Sequence, residues 1–85
     1  MTLDELVSKY INGTEHVFAQ IKVIQTTTHV NNERIKGVVE HAKRYLEDAK
    51  YYESKNRLET SLASVAYCEG LLDALRLLGV VEFSW

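Results

Sequence analysis

Apolar side chains recur at spacings of three and four residues along most of this chain, which is the period of an amphipathic α-helix. Three such stripes follow one another, and each has polar residues on the opposite side of its helical wheel. The stripes predict three helices near residues 2–28, 32–54 and 57–78, and a short tail at residues 79–85.

Local signals indicate where these helices begin and end. Thr2 followed by Glu5 is a capping box for the first helix. Asparagines at 31 and 32 are both suitable caps for the second helix, and Asn56 can close it in a left-handed conformation. Gly79 is a natural stop after the third helix. The pair Asn12-Gly13 is a competing turn signal, but the apolar stripe keeps its phase across it, so we predict one continuous first helix.

The order of these elements predicts an all-α protein, a three-helix up-and-down antiparallel bundle, because short connections place successive helices side by side. The chain has 85 residues and no proline, and this length corresponds to a single helical-bundle domain. Three threonines at residues 26–28 are expected to end the first helix, since β-branched residues lose rotamer freedom there. The alternation in the tail is too brief to predict a strand.

Charge disfavours a dedicated nucleic-acid binder, because the formal net charge is −2. Seven of the ten cations lie in residues 33–57, interleaved with five acidic residues. Spacings of three and four between opposite charges are typical of a solvated helix face. Nucleic-acid binding through the second helix is therefore the weaker alternative.

Three charged residues of the third helix fall on or beside its core-facing stripe. At 100° per residue, Arg76 lies about 20°, Glu69 about 40° and Asp73 about 80° from Val65, the centre of that stripe. We expect these residues to be buried polar groups, with Glu69 satisfied by a partner from another helix and Gly70 allowing a close approach. The alternative is a ligand-binding or enzymatic bundle in which Glu69 and Asp73 form a carboxylate pair in a cleft.

No pattern of catalytic, metal-ligating or phosphate-binding residues accompanies those carboxylates. His16, His29 and His41 lack the spacing of helical metal ligands, although His16 and His41 can converge from facing helices. Cys68 is the single cysteine and is expected in the core. We therefore expect no catalytic residue, metal or cofactor, although an enzyme stays an open alternative. No apolar run is long enough to span a membrane, and the cytoplasm is the expected compartment.

The end of the third helix is apolar nearly all round, and an apolar tail follows it. One small bundle is not expected to cover all of these side chains, and a large exposed apolar patch marks a protein contact. The leading hypothesis is a non-enzymatic interaction module that forms a homo-oligomer or docks a partner protein. The alternative is a tail that caps its own bundle. The candidate interface residues are Leu71, Leu78, Val81, Phe83 and Trp85.

The segment "RYLEDAKYYESKNRLETSLASVAYCEGLLDALRLLG" resembles the small, mostly archaeal family known as domain of unknown function 357. The most specific part is "AYCEGLLDALRLLG", and the likeness covers most of the chain. Where members carry a Lys-Gly type of turn, this chain has Lys55-Asn56-Arg57. The resemblance implies a three-helix up-and-down bundle and no assigned activity. It also implies an accessory role, since some members are joined to a nucleotidyltransferase-like domain, which makes such a protein a possible partner.

Overall fold

Three helices and one pair of very short strands make up the computed structural model, which describes residues 1–24 and 31–85. The predicted all-α three-helix up-and-down bundle is confirmed. Residues 26–28 and His29 lie outside the described residues. In chain order the elements are α1 (Leu3–Gln20), β1 (Lys22–Val23), α2 (Asn32–Ser54), α3 (Leu58–Leu77) and β2 (Val81–Glu82).

The predicted start signals are confirmed. The Thr2 side chain accepts a hydrogen bond from the Glu5 backbone, and the Glu5 carboxylate accepts one from the Thr2 backbone. Asn31 caps α2 by accepting a 2.8 Å hydrogen bond from the Arg34 backbone N–H. Helix α1 continues through Gly13 as expected. These caps satisfy backbone donors that have no partner within their own helix.

Both of the later helices end in a Schellman motif. Asn56 closes α2 with φ 58°, and Gly79 closes α3 with φ 76°. After α3, the backbone N–H of Val80 donates to the Leu75 carbonyl at 3.2 Å, and Gly79 donates to the Arg76 carbonyl at 3.0 Å. This turn redirects the chain, so that the tail runs back over the bundle.

Helix α1 is shorter than predicted, because it ends at Gln20 and Ile21 adopts an extended conformation. Lys22 and Val23 then pair antiparallel with Glu82 and Val81. The extended segment contains Ile21, Val23 and Ile24, whose β-branched side chains favour strand over helix. The alternation in the tail was too brief to predict a strand, and the tail contributes two residues, Val81 and Glu82, to a two-stranded sheet.

The core is shared by the three helices and the tail. Cys68 is fully buried in it, as predicted, and so are two polar side chains, Thr14 and Ser61. The Thr14 hydroxyl donates a 2.6 Å hydrogen bond to the Tyr10 carbonyl, so its burial leaves no unsatisfied donor. The buried apolar residues are Val7, Ile11, Val17, Ile35, Ala42, Leu46, Ala49, Val65, Cys68, Leu72, Leu75, Val80, Val81 and Phe83.

Candidate functional site

A cleft of about 650 Å³ lies between α1 and α3 and is bordered by the last residue of the tail. Its volume falls within the range of small-molecule sites. Most of its wall is apolar, and its charged groups come from three side chains of α3. The lining residues are Leu6 and Tyr10 of α1, Leu62, Ala66, Glu69, Gly70, Asp73 and Arg76 of α3, and Trp85.

Glu69 lies in this cleft and is half-buried. We expected Glu69 to be largely removed from water and bonded to another helix, and both expectations are corrected. Its side chain is only half-buried, and the ion pairs found within residues 1–24 and 31–85 join other side chains. Gly70 provides no close approach within the chain, because a Cβ added there meets nothing within 4 Å. Burial, and then the nearby charge of Asp73, raises the pKa of the Glu69 carboxyl above its usual value.

Asp73 and Arg76 form an ion pair at the edge of the cleft. The Arg76 guanidinium donates to Asp73 Oδ1 from Nη2 at 2.8 Å and from Nε at 3.3 Å. Arg76 also lies over the Phe83 ring, with 5.8 Å between its guanidinium carbon and the ring centroid. Both side chains are more than 40% exposed, so the expectation that they are buried polar groups was wrong. Because Arg76 occupies Asp73, the two carboxylates are not equivalent, and Glu69 is the one left for a ligand.

The tail covers part of the predicted interface. Val81 and Phe83 are buried at 3% and 9% exposure, and Gln20 of α1 is joined to Ser84 by hydrogen bonds between its side-chain amide and the Ser84 backbone. Val81 and Phe83 are thus core residues and not available for a partner, which corrects their assignment as interface candidates. Trp85 remains 47% exposed and meets the Phe83 ring edge-on at 5.2 Å.

A second surface is the side of α3 that is turned away from the core between Ala63 and Leu78, which we call the outward face. All of its side chains are exposed, and none carries a charge. Leu77 and Leu78 are the most exposed of its large residues, at 78% and 66%. Of the predicted interface residues, Leu78 belongs to this face and the half-buried Leu71 lies at its border. The outward face comprises Ala63, Ala66, Tyr67, Gly70, Ala74, Leu77 and Leu78, and two of these, Ala66 and Gly70, also form the edge of the cleft.

An aromatic cluster borders the outward face where α2 and α3 meet. The rings of Tyr45 and Tyr67 pack edge-on with centroids 4.4 Å apart, and His41 meets Tyr45 at 5.2 Å. Aromatic contacts of this kind stabilise a junction beyond the area that they bury. The spacing of His41 and Tyr45 by one helical turn was a sequence signal for their contact, but Tyr67 joins them only through the pairing of two helices.

Neither a metal centre nor a reactive thiol is built from the described side chains. No group of three His, Cys, Asp or Glu residues able to hold a metal ion is present in residues 1–24 and 31–85. His41 lies against the tyrosines, and His16 is exposed on α1. Burial, and then the charge of Glu69, raises the pKa of the Cys68 thiol to about 12. In the part of the chain that the structure covers, no helix has the length and apolarity needed to cross a membrane.

Fold and surfaces together define a small three-helix bundle with an apolar cleft and an uncharged, exposed helix face. The chain belongs to the family described as "Protein of unknown function (DUF357)", whose sequence profile matches residues 9–81. This match confirms the resemblance seen in the sequence. No curated protein matches the chain, and no solved structure does either.

Proposed function

We propose that this chain is a non-enzymatic helical interaction module that docks a protein on the outward face of α3. The observation that carries this proposal is the exposure of Leu77 and Leu78 on a face without charge. A helix that is apolar on every side is normally buried, and an exposed apolar patch normally marks a contact. The cytoplasm is the compartment we propose, because the single Cys68 allows no disulfide within these 85 residues.

The other two helices show how unusual the outward face is. Exposed positions of α2 include Glu40, Lys43 and Glu47, and those of α1 include Lys9 and Glu15. Lys50 of α2 even pairs with Glu15 of α1 at 3.3 Å, so these charges interact with each other across the bundle. Such faces are well solvated without a partner. The outward face of α3 has no comparable polar group, and burial against another protein would stabilise it.

Affinity capture with matched variants tests this function. The immobilised chain is incubated with an extract of its native cells, and bound proteins are identified by mass spectrometry. Ala74→Arg places a charge on the outward face, whereas Gly37→Arg places the same charge on the exposed side of α2. We expect the wild type and Gly37→Arg to retain the same proteins and Ala74→Arg to lose them. Equal capture by all three forms would show that the outward face binds no protein.

A second candidate function rests on the cleft at Glu69. Its wall is apolar, and Glu69 adds an acidic group that Arg76 does not occupy. Tyr10 and Trp85 supply aromatic rings to the same cleft, and such rings attract cations. These features suit a small organic amine with an apolar body. The enzymatic version of this hypothesis has less support, because no Ser, Thr, Cys, Lys or His lines the cleft and the described residues contain no group of metal ligands.

Amide chemical shifts test the cleft. A panel of aromatic amines is titrated into the labelled chain, together with neutral alcohols of the same shape as controls. We expect the amines to shift residues around Leu62 and Gly70, and Glu69→Gln to remove that response. Equal shifts with amines and alcohols, or an unchanged response in Glu69→Gln, would exclude a cation site at Glu69.

A further inference from the structure

We infer that the outward face of α3 pairs with the same face of a second copy of this chain, antiparallel, about a two-fold axis at Gly70. This inference rests on the proposed function and names the occupant of that surface.

The spacing of the outward face is that of a helix–helix seam. Ala63, Tyr67, Gly70, Ala74 and Leu77 are separated by four, three, four and three residues. Apolar residues at this heptad spacing form the contact line of paired helices. The buried line of α3, which includes Val65 and Leu72, lies on the other side of the same helix. Helix α3 therefore carries two apolar seams, and the fold described above covers one.

Side-chain sizes along the outward face suit an antiparallel copy of itself. With the two-fold axis at Gly70, a residue that precedes Gly70 in one copy faces the residue that follows Gly70 by the same number of positions in the other copy. Ala63 then meets the partner's Leu77, so that this large side chain faces a small one, and Ala66 lies level with the partner's Ala74, which is also small. Interfaces of this kind require interdigitated large and small residues. At the centre, Gly70 faces its own copy, and nothing in the chain lies within 4 Å of the position where its Cβ would be.

The distribution of charge favours pairing of the outward face with the same face of a second copy over pairing with the exposed faces of α1 or α2. Docking the outward face onto α1 or α2 would bury charges such as Glu15 or Lys43 against apolar side chains, which is unfavourable. A second outward face brings no charge to the contact. The two-fold pairing is also closed, so it ends at a dimer and does not propagate.

Sedimentation of matched variants tests the self-association. The wild type, Gly37→Arg and Gly70→Arg are compared from micromolar to millimolar concentration. Both glycines are exposed within helices, and a Cβ added at either meets nothing within 4 Å, so we expect either arginine variant to fold as a monomer. We expect dimers for the wild type and Gly37→Arg, and for Gly70→Arg a dissociation constant raised at least about tenfold, since like charges would meet at the axis. Ala74→Arg is a second variant with the same expectation. A monomeric wild type, or an undiminished Gly70→Arg dimer, overturns the inference.

Disulfide trapping tests the orientation, with oxidised glutathione as the oxidant. Gly70→Cys should form a covalent dimer, because the axis brings the two copies of residue 70 together. Ala63→Cys alone should not, since antiparallel pairing separates its two copies by about 21 Å along the helices. The double variant Ala63→Cys/Leu77→Cys should be trapped again. The native Cys68 is fully buried and does not compete. Trapping of Ala63→Cys alone would indicate parallel pairing and overturn the inference.

These results separate the failure of the inference from that of the proposed function. If the wild type is monomeric but Ala74→Arg still abolishes capture of a different protein, self-pairing is excluded and docking on the outward face stands. If the wild type is monomeric and capture is equal in all variants, both proposals fail.

Discussion

The Ser61 hydroxyl on α3 donates a 2.6 Å hydrogen bond to the Ala49 carbonyl on α2. Both residues are fully buried. A small side chain at each position lets the two helices approach closely, and the hydroxyl satisfies its hydrogen-bonding capacity in a place that water does not reach. This contact fixes the relative height of α2 and α3 at the end of the bundle near their connecting turn.

Ser61→Ala should therefore lower the free energy of unfolding relative to a matched serine variant. Ser64→Ala, half-buried on the same helix, gains the same helix propensity but loses no bond to α2. We expect Ser61→Ala to be less stable than Ser64→Ala by about 1 kcal/mol, the usual contribution of one hydrogen bond. Urea denaturation measures the difference. Equal stabilities would mean that the Ser61 hydroxyl bond contributes nothing net.

Two glycine-to-alanine variants should change stability in opposite directions, although both glycines have open space around them. Gly79 has φ 76°, which an L-residue adopts at a cost of about 1–2 kcal/mol. Gly37 lies inside α2, where alanine is favoured by up to about 1 kcal/mol. Thermal unfolding should show Gly79→Ala below and Gly37→Ala above the wild type. The same sign for both would contradict this account.

The two aromatic residues of the tail should differ in their contribution to stability. Phe83→Ala should lower the free energy of unfolding by about 3 kcal/mol, because Phe83 is only 9% exposed. Trp85→Ala should lower it by less than about 1 kcal/mol, since half of that side chain is already in water. Urea titrations of both variants measure the contrast. A larger loss for Trp85→Ala would show that Trp85, and not Phe83, anchors the tail.

Stability should depend on pH through Glu69, whose pKa is raised in the folded chain. A raised pKa means that the folded state binds the proton more tightly than the unfolded state does. The resulting stability is present below the unfolded pKa of glutamate and is lost as the pH rises through the folded pKa. Urea titrations across this range should show the loss in the wild type and not in Glu69→Gln. Identical pH profiles for the two proteins would contradict the raised pKa.

The variant Asp73→Asn tests separately what causes the raised pKa of Glu69. Burial is the larger cause of the shift at Glu69 and the charge of Asp73 the smaller one. Removal of that charge should lower the pKa of Glu69 part of the way toward its usual value. Carbon-detected NMR of the Glu69 carboxyl measures it directly. An unchanged pKa in Asp73→Asn would assign the whole shift to burial.

Features governed by neighbours in the sequence were predictable, and those governed by distant partners were not. The caps at Thr2 and Asn31 and the left-handed residue Asn56 follow from residue types within one turn. The end of α1 and the extended strand that follows it depend on pairing with Val81, which is far away in the chain. The stripe through Ile21 and Ile24 fits a helix equally well, so periodicity alone could not exclude one.

The cleft shows a similar limit. A helical wheel gave the direction of Glu69 from the axis of α3, and that direction was toward the neighbouring helices. It could not show whether another side chain would cover the carboxylate. In the structure, Leu6 and Tyr10 of α1 lie across an open cleft from it. Likewise, the apolar tail was visible in the sequence, but the burial of Phe83 required the sheet that turns the tail back.

The pairing of β1 with β2 has a consequence for the order of folding. It joins the segment after α1 to the segment after α3, so two whole helices lie between the paired strands. The α2–α3 hairpin needs only a short loop to close and can form early, whereas closing the sheet requires the slow encounter of distant segments. Contacts made after the rate-limiting step affect mainly the rate of unfolding. Pairing of the tail with β1 should therefore slow the unfolding of the bundle more than it speeds its folding.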